Sequence, residues 1–208
     1  HEIAPADELV RRYIEAVGGL EALNSLNSRV AKVSLVTDLQ WDEHIREEAT
    51  LSVYGLSSGE YLVVTETQDG TIIEGFDGSE DWKVDPSGLV GKNNPRTFRD
   101  TWLTDPQFPL KLTSTYPSMR STGVEQWNED TVYAVDVGDG EDHRLGFDPE
   151  TGLLIRLGDR IWLEDYEEID GVLCPRRVVH GRKGGSSTFA FDAIDHNERL
   201  DRTIFSLA

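Results

Sequence analysis

Apolar positions recur at helical spacing near the start of the chain. Leu9, Val10, Tyr13, Ile14 and Val17 repeat at i, i+3/i+4 with Arg11, Arg12 and Glu15 opposite, so 5–26 predicts an amphipathic helical lead. Pro5 suits a first helical turn, Asp7 and Glu8 suit the positive end of the dipole, and Gly18-Gly19 ends the first helix. Leu20, Leu23 and Leu26 suggest a second short helix, closed by residues 24–28. From Arg29 the period changes to two. Ala31, Val33, Leu35 and Thr37 alternate with Lys32 and Ser34, and Ile45, Ala49, Leu51 and Val53 alternate with polar neighbours. Runs at 61–67 and 71–76 meet at Gln68-Asp69-Gly70, a hairpin signal, and Asp77-Gly78 leads into Trp82 and Val84.

Residues 86–118 break the rhythm. They hold Pro86, Pro95, Pro106, Pro109 and Pro117, yet also Phe98, Trp102, Leu103, Phe108, Leu110, Leu112 and Tyr116. Phe98 and Trp102 share a helical face, so a short helix is expected over about 96–104. A loop this apolar must cover something: it either plugs the open side of the sheet permanently or lids a hydrophobic cavity. Alternation resumes at 132–137, 143–147, 153–157, 161–166, 172–180 and 187–194, separated by Gly- and Asp-rich turns. Turns every 8 to 12 residues predict one antiparallel sheet or barrel. The expected organisation is a single domain over 1–208: a helical lead (1–28), first strands (29–85), a proline-rich lid or insertion (86–118) and a β-meander (119–208). The length of 208 residues suits one domain.

Charge narrows the partners. Asp and Glu outnumber Lys and Arg 39 to 20, a net charge of -19. That field disfavours nucleic acid and anionic membrane surfaces, whose binding depends on basic side chains. The acids are dispersed as a solvated surface. No apolar stretch reaches the 18 or so residues of a transmembrane helix. The sequence starts at His1 and its one methionine is Met119, from which an exported protein with its N-terminal signal removed is expected.

Candidate chemistry is sparse. The five histidines, His1, His44, His143, His180 and His196, make no metal-ligand spacing such as HxH or HExxH. No nucleophile elbow, phosphate loop or dinucleotide fingerprint occurs. The one cysteine, Cys174, excludes an internal disulfide and reads as a core thiol before Pro175. The acidic run from Asp136 to Asp142 lacks the closing Glu of a calcium loop, since Phe147 stands there. No cofactor, metal site or catalytic residue is expected.

Several segments together resemble a known pattern. The opening from Ala6 through Leu23 is similar to the first helix of bacterial outer-membrane lipoprotein-sorting (LolA/LolB-like) carriers. The likeness continues through Gly75-Phe76-Asp77-Gly78 with Trp82, the run from Leu145 to Leu154 with its Asp148-Pro149-Glu150-Thr151-Gly152 turn, Asp165 to Val172 with Pro175, and His196-Asn197 with Leu200, Asp201 and Phe205. It covers nearly the whole chain. The resemblance implies an α+β, mainly β fold: a strongly curved antiparallel sheet, an unclosed barrel, with the N-terminal helix and a short helical insertion across its concave face. Such carriers accept lipoprotein acyl chains between sheet and helices and use a lid-locking arginine. No particular arginine of this sequence corresponds to it by motif, so no binding residue is carried over.

The reading that follows is a non-enzymatic periplasmic or cell-envelope carrier for the acyl chain of a lipid or lipoprotein. Apolar burial at about 25 cal/mol per Å² lets a long chain supply several kcal/mol. The candidate cavity residues are Leu9, Tyr13, Val33, Leu51, Trp102, Leu103 and Phe108. Two alternatives stand beside it. One is a sensing or scaffolding domain whose cavity is filled by its own side chains. The other is a hydrolase, which would need His143 or His180 within reach of a carboxylate in a pocket.

Overall fold

In this computed structural model, residues 4–40, 44–92, 101–127, 129–138, 144–182 and 184–207 are described. The helical lead forms as its periodicity predicts: α1 spans Ala6–Ala16 and α2 spans Gly19–Ser25. Pro5 is the N-cap residue, and Asp7 and Glu8 occupy the first turn of α1. Arg11 bridges Glu8 and Glu15 on the exposed side, while Leu9, Val10 and Tyr13 are buried on the other. The break at Gly18 is enforced twice. Its φ is +126°, and a Cβ there would lie 2.4 Å from the Gly171 carbonyl oxygen.

Thirteen strands follow: β1 Ser28–Gln40, β2 His44–Leu56, β3 Tyr61–Thr67, β4 Gly70–Phe76, β5 Asp81–Val84, β6 Val90–Lys92, β7 Arg120–Trp127, β8 Asp130–Asp136, β9 Arg144–Phe147, β10 Leu154–Leu157, β11 Ile161–Ile169, β12 Val172–Arg182 and β13 Gly185–His196. They form one antiparallel sheet ordered β6-β5-β4-β3-β2-β1-β13-β12-β11-β10-β9-β8-β7, which is not closed into a barrel. The fold is therefore mainly β with three helices, as expected.

Two local expectations change. The short helix expected over 96–104 falls largely outside the described residues, and its described part, 101–104, is turn. The helix of this region, α3, lies at Phe108–Thr115. Pro109 in its first turn explains the shift, because proline is tolerated where the N–H would be orphaned anyway. Strand β7 was not marked by alternation, since Arg120-Ser-Thr-Gly-Val-Glu-Gln-Trp127 offers little apolar periodicity. Also outside the described residues lie His1, Trp41, Pro95, Phe98, His143 and the acidic residues Asp139, Glu141 and Asp142.

The chain clusters into two compact units, His1–Leu23 with Pro109–Lys183, and Asn24–Phe108 with Gly184–Ala208. In the first, Tyr13 of α1 meets Phe147 of β9 at a ring separation of 5.9 Å, and Leu145, Leu157, Leu163 and Val178 are fully buried. In the second, the core rests on Ala31, Val33, Leu51, Val53 and Val63. Trp82 is buried there too, and its indole N–H donates to the Phe205 carbonyl at 2.8 Å.

Candidate functional site

In the second unit, register sets one continuous apolar face. Val33 pairs with Leu51 of β2 and Phe191 of β13, and Leu35 pairs with Ala49 and Phe189. Residues opposite one another in an antiparallel ladder point to the same side, so these six share a face. Trp102 packs on it. Its ring lies edge-on to Phe189 at 5.4 Å and to Phe191 at 6.1 Å, and it is 7% exposed. Leu103 and Phe108 are buried in the same segment. The sequence-predicted Val33, Leu51, Trp102, Leu103 and Phe108 thus all belong to this unit, and the space directly beneath Trp102 is occupied by two phenylalanines.

Three polar contacts hold the segment around Trp102. Arg29 of β1, itself buried, donates from Nη1 to the Trp102 carbonyl at 2.9 Å. Gln107 donates from Nε2 to the Leu26 carbonyl at 2.9 Å, and the Asp105 carboxylate accepts from the Gln107 N–H at 2.9 Å. Backbone contact is closest at Gly55 of β2. A Cβ built there would stand 1.9 Å from the Thr104 carbonyl oxygen, so only glycine admits this approach. Arg29 and Gly55 were missed from the sequence. The only signal for Arg29 was a charged residue opening an alternating apolar strand.

Beside the covered part, the same strand face is open. A groove of about 370 Å³ is lined by Leu35, Ala49, Ile72 and Pro86, with Thr37, Thr65 and Thr67 between them and Glu47, Glu48 and Asp69 at its rim. Its size falls within the roughly 300–1,000 Å³ of small-molecule sites. Leu35 belongs to both regions: it borders the groove and is cross-strand partner to the Phe189 under Trp102. At the floor, Thr37 is buried and its hydroxyl is 2.9 Å from that of Ser187.

The first unit holds Leu9 and Tyr13. Leu9 borders a cavity of about 400 Å³ together with Arg12, Tyr133, Phe147 and the turn at Asp148–Gly152. Burial would raise the Asp148 carboxyl, but hydrogen bonds from Thr151 and Glu150 outweigh it and hold it below its ordinary value. Tyr13 lies deeper, against Tyr166, whose hydroxyl donates to the Leu154 carbonyl at 2.6 Å. Burial, reinforced by Tyr13, pushes the Tyr166 phenol far above its usual range.

Another polar assembly in this unit was not anticipated. Arg156 is 1% exposed, with its guanidinium 4.2 Å from the Trp162 ring centroid and 5.9 Å from that of Trp127. It donates to Asp130 at 2.8 Å and to the Asp159 carbonyl at 3.0 Å. Arg144 also lies over Trp127, 4.5 Å from its ring centroid, and binds Glu125 at 2.6 Å and Asp136 at 3.0 Å. The Arg144 hydrogen bond, with help from Thr122 and the Trp127 indole N–H, lowers the Glu125 carboxyl to about 2. The carboxylates and rings named here stabilise the charges of the two guanidiniums. His180 lies on β12 and borders neither cavity.

Solved structures of other proteins share this architecture. Over 98% of both chains, the structure matches a LolA superfamily protein from Nitrosomonas europaea with a TM-score of 0.65 at 13% identity. The fold is that of the LolA superfamily. A DUF1329 family protein from Desulfovibrio piger matches over 97% of both chains, with a TM-score of 0.60 at 10% identity. A domain of the outer membrane lipoprotein-sorting type from Vibrio parahaemolyticus matches over 95% of this chain and 94% of its own, with a TM-score of 0.58 at 11% identity. No family model and no curated protein matches the sequence. Among the described residues, no helix of this LolA-like chain is long and apolar enough to cross a membrane.

Proposed function

We propose that the chain is a non-enzymatic carrier for a hydrophobic ligand, the acyl chain of a lipid or lipoprotein, working in the periplasm or cell envelope. The observation that carries this reading is the open groove at Leu35, Ala49 and Ile72, continuous in register with the apolar face beneath Trp102. Each methylene buried there contributes about 0.8 kcal/mol, so even six of them supply about 5 kcal/mol before the cost of ordering the chain. The lipoprotein-sorting fold of the relatives supports the ligand class.

Arg29 takes the part of a latch in this proposal. Its bond to the Trp102 carbonyl holds the 101–108 segment over Phe189 and Phe191, and its release would extend the groove toward Val33 and Leu51. Leu103 and Phe108 then join the lining, and Leu9 serves the separate cavity of the first unit, with Tyr13 packed deeper behind it. A second reading has its own support: Trp102 already rests on the protein's own phenylalanines, as a self-filled sensing or scaffolding domain would require.

Lipid extraction and mass spectrometry of the purified protein, with tryptophan fluorescence during titration of a twelve- to sixteen-carbon chain, separate the two. The carrier reading expects co-purifying lipid or a saturable change in fluorescence. It also expects Arg29→Leu to speed chain uptake in stopped flow. Absence of lipid and of any fluorescence response would favour the self-filled domain.

A further inference from the structure

The rim of the groove is charged in one sense. Glu47 is cross-strand partner to Thr37, a residue of the groove floor, which places its carboxylate on the groove side of β2. Asp69 stands at the β3–β4 turn on the opposite bank, and Glu48 lies beside Glu47. None of the lining residues is basic. Glu48 is bridged by Arg46 at 3.1 Å, but among the described residues neither Glu47 nor Asp69 has an ion-pair partner. Beneath them the floor carries the apolar Leu35, Ala49 and Ile72 with Thr37, Thr65 and Thr67 between them. An anionic head group in this mouth would face the Glu47 and Asp69 carboxylates within a chain of net charge -19.

We propose that the groove selects single-chain amphiphiles with a cationic head group, an alkyl ammonium whose chain lies on Leu35, Ala49 and Ile72 and whose head sits between Glu47 and Asp69. This rests on the carrier reading and specifies its substrate class. The apolar floor gives affinity without regard to charge. The rim then discriminates by head group, both by attracting the cation and by repelling the anion. Selection of this kind is strongest at low ionic strength, because the rim is open to solvent and salt screens it.

The test uses three twelve-carbon probes below their micelle concentrations: dodecyltrimethylammonium, dodecyl maltoside and dodecyl sulfate. Calorimetric titration at low salt is expected to show the ammonium binding at least tenfold tighter than the sulfate, with the maltoside between. The double variant Glu47→Gln/Asp69→Asn should remove most of that ratio while leaving maltoside binding unchanged. A control pair on β11, Glu167→Gln/Glu168→Gln, makes the same change in net charge and should leave the ratio intact. If both pairs lower it equally, the preference belongs to the whole surface and the rim assignment is overturned. Equal binding of all three probes, or preference for the sulfate, overturns the head-group inference and leaves the carrier reading standing. If no probe binds, both fall together.

Discussion

Glu125 shows how far one side chain can be moved from its ordinary chemistry. Its carboxylate meets the Arg144 guanidinium, the Thr122 hydroxyl and the Trp127 indole, and its pKa falls from 4.5 to about 2. A carboxyl depressed in the folded state adds stability that is complete above the unfolded value. That stability is lost as pH falls through the folded one. Glu125→Gln should therefore cost about 1–2 kcal/mol at neutral pH, a figure discounted for partial exposure. The gap to the parent should shrink below pH 4.5 and vanish near pH 2. Denaturant titrations across that range check it, and a gap that persists unchanged at acid pH would contradict it. Side chains like this are hard to read in advance. Arg156 and Arg29 sit in alternating strands where a charged residue suggests water, yet both are buried. What brings them inside is a partner on another strand or loop: Trp162, directly opposite on β11, and Asp130 for one, the Trp102 carbonyl for the other.

At the scale of elements, the strands were largely legible because hairpin chemistry is local. The Gln68-Asp69-Gly70 signal does join β3 and β4, and the Gly18-Gly19 break separates α1 from α2. The misses have equally local causes. Strand β7 carries only Val124 and Trp127 as large apolar residues, and on opposite faces, so period two was invisible, and α3 begins at a proline-bearing turn that resembles a breaker. The candidate site was half legible. Its covered residues were named from their apolarity and Thr37 was placed on the same face by alternation, but the groove also depends on Thr65 and Thr67, whose place follows from pairing alone. The same dependence makes Gly55 informative. Gly55→Ala puts a methyl into the Thr104 carbonyl, so the 101–105 turn must lift or β2 must bend. The expected outcome is a loss of about 2–4 kcal/mol with faster quenching of tryptophan emission by acrylamide. Unchanged quenching together with wild-type stability would show that the contact is not tight.

Taken whole, the molecule is dominated by charge of one sign. Ion pairs such as Arg11–Glu8 and Arg46–Glu48 are exposed, and each is worth little. Repulsion summed over a net charge of -19 outweighs their loss to screening. Raising NaCl from low to about half-molar should therefore raise Tm by about 3–8 °C, equivalent to about 1–2 kcal/mol. A falling Tm would mean that the pairs matter more than the repulsion. A calorimetric scan that reads this Tm also tests our proposal that 1–208 unfolds as one cooperative domain, for which a single transition is expected.

An unclosed sheet also has two ends, and both are blunted. Among the described residues strand β6 offers only Val90–Lys92, a short row for a partner to pair with. Strand β7 carries Arg120 and Glu125 and a register shift between Ser121 and Gly123 that interrupts its ladder. Its exposed Val124 sits on the interrupted strand. Irregularities of this kind deny an incoming chain the flat row of amides on which fibrils grow. Resistance to self-assembly is thus written into the outermost strands, at the places where the fold is least regular.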